Sequence, residues 1–134
     1  MRFFFYGTLI DPDVRRAVLG RAAPARVEPA ILRGWRRVPV AGKTYPAITP
    51  DPRGAVDGVV ARGLGRAACR RLRLYEDDFY DLITVDVELA DGFTRPACVF
   101  AVGPGVGRRT AASWDIADWQ RRHKRLFLAT LRRR

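Results

Sequence analysis

The sequence predicts an α+β fold, and three observations carry that prediction. Apolar runs of strand length recur through residues 2–102, divided by Gly, Pro and Asp. Two short helical patterns interrupt them, one opened by Asp11-Pro12 and the other spanning Arg66 to Tyr75. An amphipathic helix then closes the chain after Ser113. With 134 residues, 48% of them hydrophobic, the chain can bury one core and is too short for two, so residues 1–134 are expected to form a single domain.

Residues 2–6 read as a buried strand ended by Gly7-Thr8. Asp11 suits a helix N-cap, and Pro12 fits the first helical position, where no backbone N–H is needed. Val14, Ala17 and Val18 repeat on one face of that helix until Gly20 stops it. From about Arg26 to Ile48, Gly34, Pro39, Gly42 and Pro46 divide the chain into short strands with tight connections. Pro50-Asp51-Pro52-Arg53-Gly54 reads as an exposed turn, after which Ala55 to Arg62 alternates as a strand. The Arg66 to Tyr75 helix places Ala68, Leu72 and Tyr75 on one side. Strands over about Leu82–Leu89 and Arg95–Val102 follow, joined by the hairpin signal Ala90-Asp91-Gly92. Gly103-Pro104-Gly105-Val106-Gly107 then breaks the sheet. In the closing helix, with Ser113 as N-cap, Ile116, Trp119, His123, Leu126, Phe127 and Thr130 share a face. Asp115 and Asp118 lie in its first turn and Arg132 to Arg134 in its last, as the helix dipole favours. Trp119 and Phe127 are expected to cover the sheet rather than to form a binding pocket.

The formal charge of +11 raises the question of a polyanionic partner. The arginines are scattered in pairs and short groups, however, with no dense stripe and no interleaved aromatic platform, so nucleic acid is not the expected partner. The apolar opening is cut by Gly7, Thr8, Asp11 and Pro12, short of a signal-peptide core or a membrane span. No membrane partner is expected, and the location read from this is cytoplasmic. The two cysteines, Cys69 and Cys98, lack the spacing of a zinc or redox motif and are expected to be buried free thiols.

Several chemistries lack their parts. There is no phosphate-binding glycine loop, no dinucleotide fingerprint and no serine in a nucleophile elbow. The single histidine, His123, falls on the apolar face of the last helix and reads as a packed, hydrogen-bonded core residue rather than a base or ligand. Two elements remain. In Phe5-Tyr6-Gly7-Thr8-Leu9 the glycine permits a sharp turn whose successive amides can converge on an anion, although such a segment is also an ordinary strand end. In Leu74-Tyr75-Glu76-Asp77-Asp78-Phe79-Tyr80 three acids lie among aromatic residues, where a carboxylate partly removed from water gains a raised pKa suited to proton transfer. The bland alternative for this cluster is a solvated loop.

These segments also carry a resemblance. Phe5-Tyr6-Gly7-Thr8-Leu9, Val18-Leu19-Gly20, Tyr45-Pro46-Ala47-Ile48, and Leu72 through Glu76 with Tyr80, Val85 and Val87 occur in the order and spacing of the γ-glutamylcyclotransferase-like superfamily. The Trp114 to Phe127 segment is similar to its small avirulence-induced-gene-like branch. The resemblance implies a compact, mixed, barrel-like sheet with flanking helices. It also implies an enzyme that cyclises a γ-glutamyl amine or amide to 5-oxoproline with release of the amine, using neither cofactor nor metal. Glu76 matches the family's acid/base position, and Tyr6, Gly7, Thr8 and Leu9 its substrate cradle, with Tyr45 and Tyr80 as further substrate-binding candidates. Two departures, Arg73 where Asp is common and Leu82 where Arg is common, place the surroundings of the site, and hence the leaving amine, in question. A binding module of the same fold for a small anionic metabolite, and a basic nucleic-acid-associated protein, are the competing readings.

Overall fold

Alternation along the strands divides the apolar side chains between two cores, one inside a barrel and one beneath helices packed on its outside. The computed structural model describes residues 1–24, 26–76, 80–102 and 113–133. Five strands, β1 (Phe3–Phe5), β2 (Val27–Pro39), β3 (Pro46–Ala61), β4 (Tyr80–Leu89) and β5 (Thr94–Val102), close in the order β1-β3-β2-β4-β5. Neighbours are antiparallel except β1 and β5, which meet in parallel at Phe3 and Cys98. Closure runs through this short first strand and through two residue pairs between β2 and β4, Ala30 with Leu89 and Ile31 with Glu88. Among the described residues, four α-helices flank the barrel: α1 (Pro12–Leu19), α2 (Arg66–Tyr75), α3 (Ile116–Arg122) and α4 (Lys124–Arg132). The α+β, barrel-like architecture expected from the sequence is therefore present.

Phe4, Leu32, Val56, Val60, Val87 and Val99 point inward and belong to a core built from the strands and Tyr6. Phe3 and Phe5 point the other way, where Val14 of α1, Leu72 of α2 and Trp119 of α3 cover them. Trp119 is only 1% exposed, which makes α3 a structural cover of the barrel, as expected. Each such large side chain contributes about 1.5–3 kcal/mol by leaving water.

The capping prediction for α1 holds: Asp11 accepts from the amides of Asp13 and Val14, with Pro12 at the first helical position. Other expectations are corrected. Gly34 does not end a strand, because β2 runs on through it with φ of +88°, at the point where the register with β3 shifts between Arg33 and Trp35. Residues 50–54 do not end a strand but lie within β3, where Asp51 to Gly54 bulge opposite Gly34; Pro50, Pro52 and Arg53 are exposed, as expected. A Cβ at Gly54 would stand 2.3 Å from the Trp35 carbonyl oxygen, so this glycine serves the close approach of two strands rather than a turn. The closing helix, finally, is two helices broken at His123, and its N-cap is Asp115 instead of Ser113. The break rotates the buried face, so Leu128 is buried while Leu126 is 76% exposed. His123 is half-buried at this joint rather than in the core, and the free cysteines Cys69 and Cys98 are half-buried as well. β4 begins at Tyr80, two residues earlier than the pattern indicated. The sheet break expected at residues 103–107, and Asp77, Asp78 and Phe79, lie outside the described residues. No helix among the described residues is long and apolar enough to cross a membrane.

Candidate active site

The end of β1 delivers the chain to one mouth of the barrel, where Thr8–Ile10 coil into a single 3-10 turn. The Ile10 amide donates to the Gly7 carbonyl at 3.0 Å, and the Asp11 amide to the Thr8 carbonyl at 3.1 Å. Arg15, one turn into α1, donates to the carbonyls of Leu9 and Ile10 at 3.0 and 2.6 Å, which holds the turn from outside. Tyr6, the residue just before it, reaches across to β5 and donates its hydroxyl to the Phe100 carbonyl at 2.6 Å.

Glu76 arrives from α2. That helix buries Ala68 and Leu72 and ends at Tyr75, so Glu76 leaves it with extended backbone while its amide still bonds the Leu72 carbonyl. The Tyr75 and Thr8 hydroxyls lie 2.6 Å apart, a bond across 67 residues that fixes the turn beside the end of α2. Tyr80 and Tyr45 stand opposite, their rings 6.5 Å apart, with the Tyr80 hydroxyl donating to the Pro46 carbonyl at 2.7 Å. Among these elements lies a cavity of about 220 Å³, lined by Glu76, by Tyr6 to Leu9, and by Tyr45 and Tyr80. Every site candidate read from the sequence thus borders one concavity.

Burial raises the Glu76 carboxyl from its ordinary value of 4.5 to about 8. Burial, and then the neighbouring Glu76, hold the Tyr6 phenol well above its usual range. The two groups are thus close enough to influence each other, and Tyr6 stays a neutral hydrogen-bonding group at any ordinary pH. The pair places a carboxyl group with a raised pKa beside a neutral phenol in the cavity wall. No group of three or more potential metal ligands occurs among the described residues.

Sequence reasoning missed part of the wall. Phe127, Thr130 and Leu131 of α4, Tyr75, and Lys43 from the β2–β3 connection also line the cavity. Phe127 was expected only to cover the sheet; it stands edge-on to both Trp119 and Tyr75 and so belongs to cover and cavity alike. The spacing of Phe127, Thr130 and Leu131 on one helical face was a visible signal for a shared surface, but nothing local revealed that the surface was a cavity. Lys43 carried no signal at all. Arg73 and Leu82, the departures from the family pattern, do not line the cavity: Arg73 is exposed on the outer face of α2, and Leu82 packs against the core beneath the helices.

Comparison with known proteins bears on the family and the fold. The family model for "Gamma-glutamyl cyclotransferase, AIG2-like" matches residues 3–121. AIG2-like protein C of Arabidopsis thaliana is 31% identical over 131 residues, covering 97% of this chain and 75% of its own. A solution structure of another Arabidopsis thaliana protein superposes with a TM-score of 0.73 at 27% identity, over 96% of this chain and 86% of that one. A solved structure titled gamma-glutamyl cyclotransferase shares the fold, with a TM-score of 0.65 at 16% identity over 81% of this chain and 68% of its own.

Proposed function

Because the chain belongs to the gamma-glutamyl cyclotransferase, AIG2-like family, we propose that it is an enzyme that cyclises a γ-glutamyl amine or amide to 5-oxoproline and releases the free amine. The observation that carries this reading is the placement of one carboxyl group, raised to about 8, in a cavity shared with the Tyr6 to Leu9 turn. The α-amine nitrogen of the substrate attacks its own γ-carbonyl carbon, a five-membered ring closes, and the bond from that carbon to the amide nitrogen breaks. Nucleophile and electrophile are in one molecule, so the site's first task is to hold the curled conformer, and an aromatic cavity of this size does that. Its second task is a proton. Glu76 takes one from the substrate's ammonium and returns it to the departing nitrogen, and a carboxyl group near 8 is poised to do both around neutral pH. The backbone amides of the Gly7-Thr8-Leu9 segment serve the substrate carboxylate or the developing oxyanion, a contribution of about 3 kcal/mol for one aligned donor. No step calls for a cofactor.

A second reading has one observation in its favour. With a pKa of about 8, Glu76 is protonated at neutral pH and can donate a hydrogen bond, so the cavity is also compatible with holding a small anionic metabolite without turnover. Incubation with γ-glutamyl amines and γ-glutamyl dipeptides, followed by measurement of 5-oxoproline and free amine in equal amounts, separates the two. The enzyme reading predicts release from at least one of them, with kcat/KM rising as Glu76 loses its proton near pH 8. Tight binding of 5-oxoproline with no turnover of any member of the panel would leave the binding module standing.

A further inference from the structure

Asp11 is fully buried, at 0% exposure, and its two carboxylate oxygens do different work. Oδ1 caps α1, accepting from the Asp13 and Val14 amides at 2.9 and 3.1 Å. Oδ2 accepts from the Gln120 side-chain amide of α3 and pairs with the Lys124 ammonium at the start of α4, both at 2.8 Å. Lys124 bonds Asp13 as well, also at 2.8 Å. An N-cap needs only a neutral oxygen, which serine or asparagine supplies, whereas a buried carboxylate is costly unless a cation and further donors compensate it. The charged pair is therefore more than the cap of α1 demands, and its place in the fold indicates what it serves. Asp11 directly follows the Thr8–Ile10 turn, one wall of the cavity, and Lys124 lies one helical turn before Phe127 and two before Leu131, the facing wall. These walls come from opposite ends of the chain, and this group bonds one to the other.

We infer that Asp11, through Lys124 and Gln120, is a positioning residue that holds α4 against the Thr8 turn and so sets the width of the substrate cavity. The inference rests on the reading above in taking this cavity as the place where the γ-glutamyl group binds. Burial alone would raise the Asp11 carboxyl, but the bonds from Lys124, Gln120 and Val14 outweigh it and hold the group below its ordinary value, so the pair is charged across the neutral range. Arg15 fixes the outer side of the same turn, while Asp11, with Asp13 beside it on Lys124, bonds the end of the turn to α4. Loosening that link lets the Phe127 wall move without touching Glu76. Substrate binding then weakens while the proton transfer is preserved.

Lys124→Met, which keeps the aliphatic stem and removes the ammonium, tests this in two ways. Hydrogen exchange of the full-length chain should show amides of residues 8–10 and 125–131 exchanging about tenfold faster, with β4 and β5 unchanged. With a γ-glutamyl substrate, KM should rise about tenfold, kcat should stay within about threefold, and the pH midpoint of kcat/KM should not move. Lys124→Arg, whose guanidinium can reach both Asp11 and Asp13, should restore both readouts. Asp11→Asn, which keeps the cap oxygen but not the charge, should reproduce the methionine variant if that variant folds poorly. Uniformly faster exchange, or local exchange unaltered in both variants, would overturn the inference. Local exchange as predicted in a protein that turns over no γ-glutamyl compound would instead overturn the substrate reading and leave the link between the walls intact.

Discussion

Replacing Glu76 with glutamine should remove activity and stabilise the fold, with the stabilisation growing as pH rises. In the unfolded chain this carboxyl titrates near 4.5, whereas in the folded protein burial moves it to about 8. Between those values the native state holds a proton that the unfolded state has released, so the wild-type stability falls with increasing pH through this window and is level above it. At 1.36 kcal/mol per pH unit, the displacement sets an upper limit of about 5 kcal/mol above pH 8, and of about 3 kcal/mol at pH 7. Glutamine is uncharged throughout and escapes this penalty. Urea denaturation of both proteins at pH 5, 7 and 9 measures the difference, which is large against a typical domain stability of about 5–15 kcal/mol. The variant should still bind 5-oxoproline, yet turn over a γ-glutamyl substrate at least about a hundredfold more slowly. A stability difference equal at pH 5 and pH 9 would show that Glu76 titrates as a solvated carboxylate, which refutes the argument from burial. Turnover at the wild-type rate would remove Glu76 from the chemistry.

Two further substitutions test the frame around the site. A Cβ at Gly58 would stand 2.3 Å from the Phe5 carbonyl oxygen and 2.8 Å from the Phe4 ring. Gly58→Ala should therefore cost about 3 kcal/mol or more by forcing β1 away from β3, seen as a lowered Tm or loss of soluble protein; an unchanged Tm would mean that β1 does not pair there. Thr8→Val removes the 2.6 Å bond to Tyr75 and should lower stability by about 1 kcal/mol while raising KM, and a KM equal to that of the wild type would show that this bond does not order the cavity.

The sequence by itself determined what depends on a few neighbouring residues. Asp11-Pro12 set the start of α1 because a side-chain oxygen and a proline meet the needs of a helix N-terminus locally. Alternation located the strands, and the ordered motifs from Phe5 through Tyr80 carried the family and the site candidates. Local signals misled wherever a distant backbone overrode them. The residues from Pro50 to Gly54 have turn composition, yet pairing with β2 on both sides of them keeps them within β3 as a bulge opposite Gly34. The pattern after Ser113 is helical without interruption, yet the chain breaks at His123, where Lys124 engages Asp11 and α4 turns Phe127 toward the cavity. Only tertiary structure decided that Thr8 and Tyr75 touch, that α4 supplies a wall, and that Arg73 and Leu82 stand clear of the cavity. It also decided the protonation of Glu76. The aromatic residues beside Glu76 in the sequence indicated the direction of its shift, but its extent follows from how much water the surrounding atoms exclude, and those atoms come from strands and helices far apart in the sequence.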